Sequence, residues 1–127
     1  MAKEKRINAP AEQLALYLAL LASVEGVEDK SNFGSAYTAM NGNMYSMISK
    51  YGLVGIRLDK ADREAFIEQY DTEMFRADPA WPPNRELVAV PDELLHDTAA
   101  LTPWMQKSFD YARTLKPKPT KKPAKKG

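Results

Sequence analysis

The residue pair Asn41-Gly42 constrains the fold more than any other feature of the chain. Both residues accept the positive φ angles of a type I′ turn, which joins two antiparallel strands through a two-residue loop. The flanking residues, rich in Tyr, Met and Ile, predict strands over 35–40 and 43–48. A four-residue turn at 49–52 then leads into a third strand over 53–58. The centre of the chain is therefore expected to be an antiparallel meander.

An amphipathic helix is expected ahead of this meander, over 9–25. Asn8 would be its N-cap, Pro10 would lie in its first turn, and Gly26 would end it. The apolar positions recur at the helical spacing, which predicts one buried face. That face consists of Leu14, Tyr17, Leu18, Leu21 and Val24.

The second half of the chain predicts further helices and one more strand. Asp59 is expected to cap a helix over 60–70, and the prolines of 71–85 indicate an irregular segment. A strand over 87–90 precedes a final helix that begins at about 98 or 102 and ends at 115. The buried face of that helix is expected to hold Trp104, Met105, Ser108, Phe109, Ala112 and Leu115. The whole pattern predicts an α+β domain, in which an antiparallel sheet of about four to five strands packs on helices in two layers.

The expected loop lengths assign the strand residues to two faces. A two-residue loop places Met40 opposite Asn43, and a four-residue loop places Ile48 opposite Leu53. The face without charge is expected beneath the helices, and it holds Ala36, Thr38, Met40, Tyr45, Met47, Val54, Ile56 and Leu58. The other face is expected to meet solvent, and it holds Ser35, Tyr37, Ala39, Met44, Ser46, Ile48, Leu53, Gly55 and Arg57.

The solvent-facing side is more apolar than a bare surface needs, which predicts a contact surface for a protein partner or for a second copy in a weak homodimer. The candidate interaction face comprises Tyr37, Met44, Ile48, Leu53 and Arg57. Two alternatives remain open. These residues are scattered surface hydrophobes, or the 71–85 segment covers them, with Phe75 and Trp81 holding that segment to the body.

The charge of the chain is unevenly placed. The net charge is +1, but residues 116–127 carry six lysines and no acid, which leaves 12 basic and 17 acidic side chains in 1–115. These lysines are the candidate nucleic-acid contacts, and they are Lys116, Lys118, Lys121, Lys122, Lys125 and Lys126. The alternative is a solvated tail without a ligand. We expect a flexible N-terminus at 1–8, one domain over 9–115 and a disordered lysine-rich tail over 116–127.

The inventory of reactive side chains is small. The chain has no cysteine and one histidine, which removes thiolate nucleophiles, disulfides and the zinc sites that need cysteine. His96 and Asp97 are neighbours on a helix and point about 100° apart, so they do not form a catalytic pair. Carboxylate chemistry remains an alternative at two groups of acids, namely Asp59, Asp62, Asp71 and Glu73, and Glu25, Glu28 and Asp29. We expect no enzymatic activity and no cofactor or metal, with a small enzyme or small-molecule-binding domain as the alternative.

The N-terminal residues imitate a secretory signal, because basic residues precede the apolar run 14–22. Glu12 and Gln13 lie just ahead of that run, and the residues at 23–26 offer no small-x-small cleavage pattern. The run is also too short to span a bilayer. We therefore expect a cytoplasmic protein.

Four segments of the chain, taken in order, resemble the TfoX N-terminal domain family. They are Val27-Glu28-Asp29-Lys30-Ser31-Asn32-Phe33-Gly34, Met40-Asn41-Gly42-Asn43-Met44, Leu53-Val54-Gly55-Ile56-Arg57-Leu58 and Ser108-Phe109-Asp110-Tyr111-Ala112-Arg113-Thr114-Leu115. The resemblance covers nearly all of 9–115 and is to a single-domain member that lacks the helical C-terminal domain of longer proteins. It implies an α+β domain with an antiparallel sheet. It also implies a role in transcription, because the longer TfoX/Sxy proteins regulate natural competence together with the cyclic-AMP receptor protein.

Overall fold

The computed structural model describes residues 10–28, 30–32, 35–78 and 80–116, and of residues 31, 32 and 35 it describes the backbone. The elements in chain order are α1 (Ala11–Ala22), β1 (Lys30–Asn32), β2 (Ser35–Met40), β3 (Asn43–Ile48), β4 (Val54–Arg57), α2 (Lys60–Tyr70), β5 (Leu87–Val90), α3 (Asp92–Leu95) and α4 (Thr98–Thr114). The strands form one antiparallel sheet in the order β1-β2-β3-β4-β5. The predicted α+β class is confirmed. The 1–8 segment and most of the lysine-rich tail lie outside the described residues. Pro10, which was expected in the first turn of α1, is its N-cap, so the expected cap by Asn8 is wrong.

Local sequence signals place most of these elements. Asn41 and Gly42 have φ angles of 53° and 83°, which confirms the type I′ turn and the bounds expected for the strands on either side of it. The carboxylate of Asp59 accepts a hydrogen bond of 2.9 Å from the Asp62 amide, which confirms the cap of α2. Gly26 has the left-handed φ of 92° expected of it, but α1 ends earlier, at Ala22 with Ser23 as its C-cap, so Gly26 does not end the helix. Backbone signals of this kind act over a few residues and were therefore visible in the sequence.

The pairing of β3 with β4 differs by one residue from the expected register. The Ser49 amide donates a hydrogen bond of 2.8 Å to the Leu53 carbonyl, so the loop has three residues instead of four. Gly52 ends that loop with a φ of 81°, which is the left-handed position that such a loop requires. Ile48 therefore pairs with Val54 and not with Leu53.

A β-bulge changes the pairing of β2 with β3 as well. Ala39 pairs with Met44, but Thr38 pairs with Ser46, so Tyr45 is the extra residue of the bulged strand. The side chain of Tyr45 packs on the α4 ring of Phe109, with ring centroids 6.0 Å apart. The bulge moves every β3 residue beyond it to the opposite face from the one its spacing predicts.

These two shifts correct the assignment of the sheet faces. Ile48 and Ser46, which were expected to meet solvent, are both fully buried, whereas Met47, which was expected in the core, is half-buried on the other side. The predicted burial of Val54 and Ile56 is confirmed.

Ser46 is tolerated in the core because its hydroxyl is hydrogen-bonded twice. Its Oγ lies 2.7 Å from the Tyr17 hydroxyl of α1 and 2.6 Å from Thr38 Oγ1 of β2. All three residues are fully buried. Since a buried polar group costs free energy unless it is hydrogen-bonded, this network fixes α1 against the middle of the sheet.

The helices form the second layer. Tyr17, Leu20 and Leu21 are the buried residues of α1, so Leu20 takes the place expected for Leu18, which is 38% exposed. Phe66 of α2 meets Trp104 of α4 edge to face, with ring centroids 5.1 Å apart. The buried residues of α4 are Leu101, Met105, Ser108, Phe109 and Ala112, while Trp104 and Leu115 are half-buried. Among the described helices, none has both the length and the hydropathy needed to cross a membrane.

Candidate protein-contact surface

On the sheet face turned away from the helices, the position of Gly55 in β4 is covered by the chain itself. Phe75 is 2% exposed, and its ring lies flat on Gly55 of β4. A Cβ at Gly55 would lie 2.5 Å from Cγ of Phe75 and 2.8 Å from both Cδ atoms. The 71–85 segment therefore covers Gly55, whereas Leu53 is exposed and Ile48 lies in the core, so neither of the two alternatives left open by the sequence describes the whole face.

Backbone hydrogen bonds hold this segment along the outer edge of β5. The Phe75 amide donates to the Leu87 carbonyl at 2.9 Å, and the Ala89 amide donates to the Glu73 carbonyl at 2.9 Å. The Asn84 amide then donates to the Phe75 carbonyl at 2.7 Å. This edge of the sheet is therefore occupied, which removes its unpaired amides and carbonyls from pairing with another chain.

The predicted interaction face is divided by this arrangement. Tyr37 and Met44 are half-buried, and Ile48 lies in the core, so that its inclusion in an exposed face was wrong. Arg57 faces away from the helices, but its side chain is only 15% exposed. Leu53 alone among the five is an exposed large hydrophobic residue, at 39%.

A smaller apolar surface remains beside Leu53. It consists of Tyr51, Leu53 and Trp81, which are 49%, 39% and 57% exposed, and is called the Tyr51–Trp81 surface below. Asp78 joins its two aromatic residues, because its carboxylate accepts a hydrogen bond of 3.4 Å from the Tyr51 hydroxyl and its carbonyl accepts one of 2.9 Å from the Trp81 amide. Arg76 Nη1 donates to the Trp81 carbonyl at 2.8 Å.

The exposure of Trp81 corrects the expectation that its ring holds the 71–85 segment to the body. Phe75 does so without it, and the indole ring of Trp81 is left on the surface. The sequence contained a signal for this, since prolines at 79, 82 and 83 surround Trp81 and restrict how the backbone turns toward the sheet. Tyr51 was missed because a residue in a tight turn is ordinarily assigned to the turn alone.

Two half-open grooves meet at Leu53 and Val90. The larger encloses about 450 Å³ and is lined by Leu53, Val54, Glu73, Met74, Phe75, Arg76, Ala89 and Val90. The smaller encloses about 290 Å³ and is lined by Gln13, Tyr51, Gly52, Leu53, Val90, Asp92 and Leu95. The two grooves therefore border the Tyr51–Trp81 surface at Leu53.

Arg57 belongs to an internal charge cluster. Its Nη2 atom and Arg63 Nη1 lie 3.4 and 3.6 Å from the same oxygen, Oε1 of Glu86. Arg57 Nη1 also donates to the Met44 carbonyl at 3.4 Å, while its Nε is buried without a hydrogen-bond partner in the described part of the chain. These contacts connect the sheet to Arg63 in α2 and to Glu86 just before β5. Most of the Arg57 side chain is therefore not accessible to a partner molecule.

His96 joins α1 to the end of α3. Its Nε2 lies 2.9 Å from Glu12 Oε2, and its Nδ1 lies 2.8 Å from the Asp92 carbonyl oxygen. Both ring nitrogens therefore face acceptors, an arrangement that suits the imidazolium form. The hydrogen bond to the Asp92 carbonyl and the one to the Glu12 carboxylate raise the pKa of His96 above its ordinary value.

The first group of acids proposed for carboxylate chemistry is spread along α2 and the segment that follows it. Asp59 caps α2, Asp62 lies in its first turn, and Asp71 follows its last turn with a φ of 51°. Glu73 lines the larger groove, whereas Asp29 lies outside the described residues. Within the described ranges, no group of three or more histidine, aspartate or glutamate side chains is arranged to hold a metal ion.

Of the six tail lysines, only Lys116 lies within the described residues. Its carbonyl accepts a hydrogen bond of 2.9 Å from Asn43 Nδ2.

Comparison with known proteins gives one finding. The profile of the TfoX N-terminal domain family matches residues 19–112, which is 94 of the 127 residues. The matched range runs from α1 to the last turns of α4 and includes every strand, Gly55, Phe75 and the Tyr51–Trp81 surface. No curated protein matches the chain.

Proposed function

The chain belongs to the TfoX N-terminal domain family, and on that premise we propose that it is a non-enzymatic regulatory module that acts through protein contacts. The observation that carries the proposal is the Tyr51–Trp81 surface, where three large apolar side chains are exposed beside two grooves. Tyrosine and tryptophan are enriched at protein interfaces, where they supply much of the binding energy. We place the binding of a partner protein at this surface.

The position of the surface supports this assignment. Phe75 covers Gly55, and the backbone bonds to β5 occupy the edge of the sheet, so the chain covers its own apolar area at these places. The same segment carries Trp81 outward through the turn at Asp78. The 71–85 segment buries Phe75 but leaves the ring of Trp81 exposed. The Trp81 ring is therefore better suited to contact a partner than to pack in the core.

The resemblance to the TfoX/Sxy proteins extends the proposal to its setting. We propose that the module acts in the cytoplasm in the regulation of transcription, as the longer TfoX/Sxy proteins do in natural competence. The lysine-rich segment supports a further, non-specific contact with nucleic acid, because each lysine that neutralises a phosphate releases counterions. The acidic body of the domain itself opposes such binding.

A small-molecule site is the second candidate, and the larger groove favours it. Its volume of about 450 Å³ lies within the range of ligand pockets, and Glu73 and Arg76 place opposite charges beside its apolar walls. A ligand there would contact Phe75 and Met74, which the protein partner proposed above does not require.

The test uses two leucines of nearly equal exposure. Leu53 lies in the Tyr51–Trp81 surface and Leu18 lies on α1, at 39% and 38% exposed. The tagged protein, with and without residues 116–127, is used to capture proteins from the native cell, and quantitative mass spectrometry compares Leu53→Ser, Trp81→Ala and Leu18→Ser. We expect the same proteins to be lost with Leu53→Ser and Trp81→Ala and retained with Leu18→Ser.

Other results would contradict the assignment. Equal losses with Leu53→Ser and Leu18→Ser would show that general surface hydrophobicity, and not this surface, causes capture. Capture that disappears only on deletion of 116–127 would assign binding to the lysine-rich segment. If the wild type itself is the protein captured, sedimentation at increasing concentration will show the weak homodimer.

A further inference from the structure

Two segments of the domain, which contain α2 and α3, are strongly acidic. Residues 59–73, which include α2, carry six acidic and two basic side chains. Residues 92–97, which include α3, add three acidic side chains and no lysine or arginine. Elements as acidic as these attract a cationic segment over a distance of about one Debye length, or about 8 Å at physiological salt.

A groove of about 230 Å³ opens between these two elements. Its apolar walls are Tyr70, Pro91 and Leu94, and its acidic rim is formed by Glu93 and Asp97. Asp97 is also the N-cap of α4, where its carboxylate accepts a hydrogen bond of 3.2 Å from the Ala100 amide. The groove therefore lies at the N-terminal end of α4.

We propose that the lysine- and proline-rich segment 117–127 of the same chain binds in this groove. The segment contains three prolines and five lysines and no acid. Prolines favour the polyproline II conformation, and segments in that conformation dock in grooves that have aromatic walls. Tyr70 supplies such a wall, and the carboxylates of the rim are complementary to the lysines. This inference concerns a surface other than the Tyr51–Trp81 surface and does not depend on the protein contact proposed there, although it uses the same lysines as the proposed contact with nucleic acid.

The length of the segment fits the distance that it must cover. The chain leaves α4 at Lys116, whose carbonyl is held by Asn43 Nδ2 at 2.9 Å. From there to the groove it must return along α4, whose 17 residues at a helical rise of about 1.5 Å each span about 25 Å. A polyproline II segment rises about 3.1 Å per residue, so about eight residues bridge this distance. Counted from Lys116, about eight residues place Ala124 at the groove, so that Pro123 lies beside the apolar walls and Lys125 and Lys126 lie beside the acidic rim.

A spin label tests the contact in the full chain. Because the sequence has no cysteine, Ala124→Cys provides a single attachment site. The nuclear magnetic resonance signals of backbone amides close to the label lose intensity. We expect selective loss at Tyr70, Glu93 and Leu94, with recovery of these signals at 1 M salt, where the Debye length is about 3 Å.

Matched charge variants separate this contact from general attraction. Glu93→Gln with Asp97→Asn removes two charges from the rim, and asparagine preserves the cap of α4. Glu25→Gln with Asp110→Asn removes two exposed charges, one after the end of α1 and one in the C-terminal half of α4. We expect the selective loss to disappear in the first pair and to persist in the second.

Three results would overturn the proposal. They are intensity loss spread evenly over the surface, selective loss that survives the Glu93→Gln and Asp97→Asn changes, and loss that appears only between chains. The last is measured by mixing spin-labelled protein with a separate isotope-labelled chain that carries no spin label. Loss in that mixture equal to the loss within one chain would assign the groove to the segment of a second copy.

Discussion

Replacing Gly55 by alanine tests whether Phe75 closes the sheet face. The added Cβ would lie 2.5 to 2.8 Å from three atoms of the Phe75 ring, closer than atoms approach one another in folded proteins. The ring must therefore move away from β4. Gly55 lies within an extended strand, so its own backbone conformation does not oppose the substitution.

The magnitude follows from two opposing effects. Phe75 is 2% exposed, and full burial of such a side chain is worth about 1.5–3 kcal/mol, part or all of which is lost when the ring is displaced. Alanine is also less costly than glycine inside a strand, by about 0.5–1 kcal/mol. We expect Gly55→Ala to lower the free energy of unfolding by about 1–2 kcal/mol, measured by urea denaturation with circular dichroism.

A second variant reverses the sign. Phe75→Ala alone is expected to cost about 3–5 kcal/mol, because it removes a buried aromatic side chain. In that background no ring opposes the new Cβ, so Gly55→Ala is expected to stabilise by about 0.5–1 kcal/mol. If Gly55→Ala destabilises equally in both backgrounds, the contact between Phe75 and Gly55 does not close this face and the argument fails.

Three further predictions follow from the core and from α3. Ser46→Ala removes the shared partner of two buried hydroxyls and is expected to cost about 1–3 kcal/mol in chemical denaturation; no change would refute the network. Ile48→Asp places an unpaired charge in the core, and loss of the folded circular-dichroism spectrum at neutral pH is expected, whereas a folded variant would return Ile48 to the surface. The folded-state pKa of His96 is raised, so its stabilising effect is present below about pH 6.5 and lost as the pH rises through the folded value. Melting temperatures should therefore differ most between wild type and His96→Gln in mild acid, and a difference that grows with pH would contradict this.

Much of the fold was predictable because its signals are local. The turn at Asn41-Gly42, the cap at Asp59 and the strand at 87–90 each depend on a few adjacent residues, and the structure confirms them. The family resemblance is likewise confirmed. The bounds of β2, β3, α2 and β5 are those expected, whereas α1 is five residues shorter than the expected 9–25 and β1 was not predicted.

The faces of the sheet were not predictable in the same way. One bulge at Tyr45 and one residue fewer in the loop before Leu53 reverse the side on which Ser46, Met47 and Ile48 lie. Side chains in a strand alternate, so an error of a single residue transfers a whole strand segment. Ser46 misleads further, because a serine is assigned to solvent unless its buried hydrogen-bond partners are known.

The candidate surface depends on packing that no local pattern reports. Leu53 was part of the predicted interaction face and is exposed, whereas Trp81 was expected to pack and does not. Phe75 packs on Gly55 of β4, and its single aromatic ring covers that position without Trp81. The contact between Phe75 and Gly55 joins residues 20 positions apart in the sequence, so no local pattern could predict it.

Site-specific photo-crosslinking in the native cell tests the central claim most directly. A photoreactive amino acid replaces Leu53 in one variant and Leu18 in another, and tryptic mass spectrometry identifies what each captures. We expect a discrete protein adduct at position 53, absent from position 18 and abolished when Trp81→Ala is added. Adducts of equal yield at positions 53 and 18, or an adduct at 53 that Trp81→Ala leaves unchanged, would contradict the assignment of the Tyr51–Trp81 surface as the contact site.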